Sequence, residues 1–221
     1  MNLIRKGSSE LIKVGKSISI TNKLLKEIES RDVVPSDDFR VSIPDKNFQK
    51  YLMEEYNLEF TDGTVTYGQI KEVTVIKANW LSIKNFEGLR YFTALTTLLC
   101  DFNLLTSLDV SKNSALTELD CNCNELTLLD VSNNTALTEL KCYFNQLTSL
   151  DVSKNTALTW LDCWGNHLTS LDVSKNTALT TLLCWDNKLS SLDLTYNPLL
   201  KKISLNGNPG EWWKELEKDE E

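Results

Sequence analysis

Residues 137–157 read LTELKCYFNQLTSLDVSKNTA, and residues 158–178 repeat them as LTWLDCWGNHLTSLDVSKNTA. The same sentence carries Cys100, Cys121, Cys142, Cys163 and Cys184, each 21 residues after the last. A fixed period near twenty is the signature of a solenoid, because one such unit cannot bury its own apolar side and must stack on its neighbours. Repetition also separates two kinds of position. Those constant from copy to copy serve the stacking, and those that vary are free to serve a partner.

Composition agrees with a folded, soluble-type chain: 221 residues, 41% hydrophobic and 24% charged. A net charge of -8 argues against a non-specific nucleic-acid binder, which needs a basic stripe to neutralise phosphates. Charge is uneven along the chain. Residues 1–31 hold seven Lys/Arg against three Glu, while residues 211–221 hold six acids against two Lys. No stretch approaches the roughly 18 to 20 apolar residues of a membrane span. The start, MNLIRKGSSELIKVGKSISI, lacks the apolar core and small-residue cleavage site of a signal peptide. The expected location is the cytosol, or the cell exterior if a leader has been removed.

The periodic cysteines are expected to pack as small hydrophobes in a reducing compartment. Strands about 4.8 Å apart bring neighbouring thiols close, but their Cβ vectors run parallel and do not face each other as a disulfide requires. Zinc is not expected, since Cys123 of the Cys121-x-Cys123 pair falls on a loop edge. No metal or cofactor is assigned.

Five regular units begin at Leu95, Leu116, Leu137, Leu158 and Leu179. A sixth, from Leu200, decays at Gly210-Glu211-Trp212-Trp213, where the two tryptophans read as a cap over the last open layer of core. A variant unit precedes the array, with Val73, Ile76, Ala78, Ile83, Phe86 and Leu89 in the apolar places. Further upstream, Ile43-Pro44-Asp45 followed by Phe48, Tyr51, Leu52 and Tyr56 marks the start and apolar face of a helix. Leu11, Val14, Ile18, Thr21, Leu25 and Ile28 are spaced as a heptad seam, so residues 8–30 either pack on the solenoid or mediate self-association. The expected divisions are a helical extension and linker at 1–40, a helical N-terminal cap at 41–72, the solenoid at 73–208, and a C-terminal cap with acidic tail at 209–221.

The repeat LTSLDVSKNTALTxLxC resembles the leucine-rich repeats of bacterial internalin-like proteins, especially those abundant in Bacteroidetes; the similarity covers residues 73–208 and extends to the preceding VSIPDKNFQKYL and to NFEGLRYF. The resemblance implies an α/β solenoid: a leucine-rich-repeat horseshoe with a parallel β-sheet on its concave face and an α-helical N-terminal cap. It also implies a surface or secreted protein that binds other proteins. Many relatives carry a half EF-hand after the cap helix. Here the corresponding stretch keeps Asp62 and Gly63 but has Gln69 at the twelfth position, so an oxygen cage for calcium cannot be completed.

Within each unit Leu-x-x-Leu-x-Cys is predicted as a short strand, alternating inward and outward, followed by an asparagine (Asn103, Asn124, Asn145, Asn166, Asn187) that bonds the turning backbone. The segment SLDVSKNTA is predicted to return as turns. Its Asp109, Asp130, Asp151, Asp172 and Asp193, with lysines nearby, read as a solvated or backbone-bonded ladder and not as catalytic pairs. The outward strand positions differ in every copy. One column runs Thr97, Glu118, Glu139, Trp160, Thr181, Lys202; the next Leu99, Asp120, Lys141, Asp162, Leu183, Ser204; and the one past the cysteine Asp101, Asn122, Tyr143, Trp164, Trp185, Asn206. A further step gives Phe102, Cys123, Phe144, Gly165, Asp186, Gly207.

Trp160, Trp164, Trp185, Tyr143, Phe144, Phe102, Asp120, Asp162, Glu139 and Lys141 are therefore the candidate partner-binding residues. Clustered aromatics can exceed the apolar patch a monomer usually exposes, and Trp and Tyr are enriched at binding hot spots. The flanking acids favour a protein partner with basic groups around an apolar centre. The alternative is a surface-associated adhesin that binds a host protein or a glycan, the tryptophans stacking on sugar rings. Catalysis is not expected: His167, the one histidine, occupies a varying loop position, and Cys163 points to the core.

Overall fold

In the computed structural model, residues 34–210 and 212–215 are described. The heptad seam of residues 8–30 and most of the acidic tail lie outside them. The chain divides into two units, residues 1–39 and 40–221, and the second contains the solenoid.

The second unit opens with strand β1 (Arg40–Ser42), antiparallel to β2 (Thr64–Thr66), with helix α1 (Lys46–Tyr56) between them. Asp45 caps α1 as Pro44-Asp45 predicted, its Oδ1 accepting from the amides of Asn47 at 2.9 Å and Phe48 at 3.1 Å. The other oxygen accepts from Lys84 N–H at 2.8 Å, which ties the cap to the first repeat. Buried Phe48 meets the Phe86 ring edge-on at 4.6 Å. A short helix α2 (Tyr67–Ile70) then leads into the array.

The array is one seven-stranded parallel sheet: β3 (Val75–Lys77), β4 (Thr97–Leu99), β5 (Glu118–Asp120), β6 (Glu139–Lys141), β7 (Trp160–Asp162), β8 (Thr181–Leu183) and β9 (Lys202–Ser204), each paired only with its sequence neighbours. Every strand is three residues long and centred on an inward aliphatic side chain. Leu98, Leu119, Leu140, Leu161 and Leu182 are fully buried, as are the five ladder cysteines. Burying each leucine contributes about 1.5 to 3 kcal/mol. The thiols form no disulfide, and burial pushes those of Cys100, Cys121, Cys142 and Cys163 far above the usual thiol range. They are inert packing atoms. The open edge of β3 is closed by α1: Tyr51 Oη accepts from Lys77 N–H at 2.7 Å, and Tyr56 Oη donates to Val75 O. At the far end the Trp212 indole N–H reaches back to Leu189 O at 3.3 Å.

Two asparagine ladders stitch the turns. Asn145 is representative of the first: its Nδ2 donates to Cys142 O at 3.1 Å and Cys121 O at 3.0 Å, while its Oδ1 accepts from Leu126 N–H at 3.0 Å. The sequence missed the second ladder, treating the N of SKNTA as a turn residue. Asn113, Asn134, Asn155, Asn176 and Asn197 are nearly or fully buried, and Asn155 Nδ2 donates to Val131 O and Asn134 O, both at 2.9 Å. The return segments are turns, and helix in this unit is confined to the N-terminal side and to 3-10 turns among the described residues. Asp151 Oδ1 accepts from Ser153 N–H at 2.9 Å, a local turn repeated at Asp109, Asp130, Asp172 and Asp193.

Candidate functional site

Strand pairing arranges the varying columns as a grid on the face of the sheet turned away from the core. Glu118, Glu139 and Trp160 are in register across β5, β6 and β7, and so are Asp120, Lys141 and Asp162. Beyond the cysteines a third row carries Tyr143, Trp164 and Trp185. These three rings form one stack. Tyr143 lies 5.0 Å from Trp164 at 14°, and Trp164 lies 3.9 Å from Trp185 at 10°. Such pairs contribute about 0.5 to 1.5 kcal/mol beyond their buried area. Phe144 meets Trp164 edge-on at 4.0 Å and remains 48% exposed.

Phe102 does not join that stack. It pairs with Trp80, ring centroids 3.6 Å apart at 11°, and sequence reasoning passed over Trp80 because the variant first unit obscures its register. The backbone supplies that register, since Trp80 N–H donates to Asp101 O as Phe102 N–H donates to Asn122 O. Trp80, Phe102, Cys123, Phe144, Gly165, Asp186 and Gly207 all adopt positive φ, between 48° and 76°. The chain leaves each strand through one left-handed residue. Two repeats fill the position with glycine, which has no Cβ to crowd, whereas three place a large aromatic there in a conformation that disfavours it. Gly165 has a second duty: a Cβ there would stand 2.9 Å from the Phe144 ring. Its absence makes the seat on which that ring rests.

The middle of the grid is charged. Lys141 Nζ lies 2.9 Å from Glu139 Oε2 and 3.9 Å from Glu118 Oε1. Burial pulls this ammonium down, but Glu139 and the surrounding carboxylates more than offset it and leave it raised. Although Lys141 stands between Asp120 and Asp162 in register, among the described residues its ammonium forms salt bridges with the glutamate row only. Burial pushes the Asp120 carboxyl up to about 6 and that of Asp162 up to about 7. Asp162 is 6% exposed, and its Oδ1 has no hydrogen-bond partner; the same holds for Trp160 Nε1 on the same strand. The Trp160 ring has Lys141 and Lys202 ammoniums each 5.9 Å from its centroid. His167 is exposed, its Nδ1 3.0 Å from Asn166 O. Among the described residues no group of three or more His, Cys, Asp or Glu could hold a metal ion, and no helix is long and apolar enough to cross a membrane.

No protein-family model matches the chain. Over 107 residues it is 35% identical to Internalin J of Listeria monocytogenes, a similarity that takes in 48% of this chain and 11% of that protein. The solved functional domain of InlJ from Listeria monocytogenes, described as including a cysteine ladder, matches with a TM-score of 0.74 at 39% identity over 78% of this chain and 39% of the other. A leucine-rich-repeat protein of Leptospira interrogans matches with a TM-score of 0.54 at 26% identity, over 57% of this chain and 35% of the other. Internalin C2 of Listeria monocytogenes, at 20% identity and a TM-score of 0.55, shares the fold. The chain thus spans well under half of Internalin J and of its solved domain.

Proposed function

Taking the chain as an internalin-like leucine-rich-repeat solenoid, we propose that it is a non-enzymatic protein-binding module that holds a partner protein on the concave aromatic face, as an adaptor, inhibitor or immunity-type protein. The observation that carries this is the Tyr143–Trp164–Trp185 stack with Phe144 beside it. The scaffold beneath is repeated almost unchanged, while the face above it differs at every strand. Large aromatics there add nothing the repeat needs, because other units fold with Asp101, Asn122 and Asn206 in the same row.

Stack geometry favours a protein over a glycan. Sugars bind aromatic rings face to face, and both faces of Trp164 are already covered by Tyr143 and Trp185. What Trp164 offers outward is ring edge, suited to apolar and peptide groups. The buried thiols are inert in reducing and oxidising surroundings alike, so the ladder is compatible with the cytosol and with the cell exterior.

A photo-crosslinking residue placed at Asn206, exposed in the same row as Trp185, should trap a partner protein from native lysate, and one placed at Asp151, on the return side, should not. Trapping from Asp151 alone would place the partner on the other side and overturn the proposal.

A further inference from the structure

The grid holds more acid than its own bases neutralise. Lys141 is committed to Glu139 and Glu118, leaving Asp120 and Asp162 without a salt-bridge partner among the described residues. Asp162 is the more deeply set. Lys141 and Leu183 stand directly opposite it on the neighbouring strands. Trp160 on its own strand and Trp164 just past the strand's end flank it, two residues away on either side. Inside this ring of four the carboxyl feels the Trp164 backbone amide, but its Oδ1 is shut off from water and meets no donor among the described residues. A buried acceptor left unmade costs about 1 to 3 kcal/mol, so an incoming donor recovers that cost as binding energy. The Trp160 ring next to it already has two ammoniums of the chain within reach of its π-cloud, so that ring attracts cations.

We propose that Asp162 and Trp160 form the seat for an arginine side chain presented by the partner protein, with Asp120 supplying further negative field from two strands away, about 10 Å. The proposal rests on the concave-face function above and specifies its chemistry. Arginine fits where lysine does not. Once the side chains covering Asp162 Oδ1 part, a guanidinium can direct its planar fork at the carboxylate while its plane lies against the indole, and it sheds water more readily than an ammonium. The Lys141 ammonium, in the same patch, is drawn to the glutamate row instead.

The carboxyl of Asp162 titrates at about 7 and that of Asp120 at about 6, in each case because burial disfavours the charge. An arginine favours the ionised forms, so seating it releases protons and its affinity rises with pH across that window. The charged groups facing the seat are Glu118 and Asp120 on β5, Glu139 and Lys141 on β6, Lys202 on β9, and Asp101 beyond β4. Of these, Asp120 is brought near neutrality, as Asp162 itself is; Asp101 is raised as well, mainly by its burial.

The test is selection of random dodecapeptides against the full chain, with counter-selection on the Trp164→Ala/Trp185→Ala variant. Selected peptides are then titrated at pH 5 and pH 8 against wild type and Asp162→Asn, an amide of the same shape as the protonated carboxyl. Expected are arginine-bearing peptides that weaken by about tenfold on Asp162→Asn, weaken again when their arginine becomes lysine, and bind wild type more tightly at pH 8. Tryptophan-dependent peptides without arginine, or with unchanged affinity for a normally folded Asp162→Asn protein, would overturn the seat and leave the face intact. A selection with no tryptophan-dependent peptides would instead remove the face itself.

Discussion

Trp164 and Trp185 lie ring on ring, 3.9 Å apart and 10° from parallel, although 21 residues separate them in sequence. Their parallel overlap follows from the strand spacing, which sets the same position of successive turns about 4.8 Å apart. Two indoles so arranged couple excitonically. The circular dichroism spectrum of the native protein is expected to show a tryptophan couplet that vanishes in Trp185→Phe, while cooperative unfolding shifts by no more than about 1.5 kcal/mol. A couplet that survives the substitution would mean the rings do not stack.

The second asparagine ladder carries weight that its place in a turn-forming segment conceals. Asn155 donates to carbonyls of the previous unit from a fully buried site. Asn155→Ala removes both buried hydrogen bonds, though Val131 O and Asn134 O keep the backbone donors Asn134 N–H and Leu137 N–H, and is expected to cost about 1 to 3 kcal/mol by denaturant unfolding. The neighbouring exposed Lys154→Ala is expected to stay within about 0.5 kcal/mol of wild type. Equal effects of the two would contradict a stitching role for Asn155.

Gly165 is bound to the face by its lack of a side chain. Its φ is +62°, and a Cβ would stand 2.9 Å from the Phe144 ring. Gly165→Ala is expected to destabilise by about 1 kcal/mol or more through backbone strain and to raise the solvent exposure of Phe144. Adding Phe144→Gly removes the clash and should recover part of the loss. If the double variant is no better than the single, the two residues are not coupled.

Two sets of aspartates pull stability in opposite directions as pH changes. Asp162 at about 7 and Asp120 at about 6 lie above the unfolded value of about 3.9, so the folded state binds the extra protons. Their contribution is complete in acid and is lost as pH rises through 6 and 7. Asp109, Asp130, Asp151, Asp172 and Asp193 are lowered by hydrogen bonds from the hydroxyl and amide two residues on. Their contribution is present above the unfolded value and is lost as pH falls through their lowered values. Thermal unfolding is expected to show an optimum at mildly acidic pH, and Asp162→Asn should flatten the decline between pH 5 and pH 8. A wild-type profile that rises over that interval would refute the assignment.

Much of this was legible in the sequence because period and chemistry coincide. A cysteine every 21 residues on an inward strand position, and an asparagine three further on, leave few ways to stack. The buried ring of Leu140, Cys142 and Asn145 sits where the repeat placed it. Legibility failed where conformation, not composition, decides. The left-handed residue after each strand is Trp, Phe, Cys, Gly or Asp, so no residue type announces it. Trp80 consequently went unrecognised, and Phe102 was grouped with rings it does not touch. The asparagine of SKNTA hid for a different reason, since turn chemistry and burial favour the same residue there.

The most direct measurement is quantitative capture from native lysate by wild type, by Trp164→Ala/Trp185→Ala, and by a return-side control, Lys154→Ala/Lys175→Ala. A partner held on the aromatic face is expected to be retained by wild type and by the control and lost from the tryptophan variant. Retention of the same protein, in the same amount, by a folded Trp164→Ala/Trp185→Ala chain would contradict the concave site.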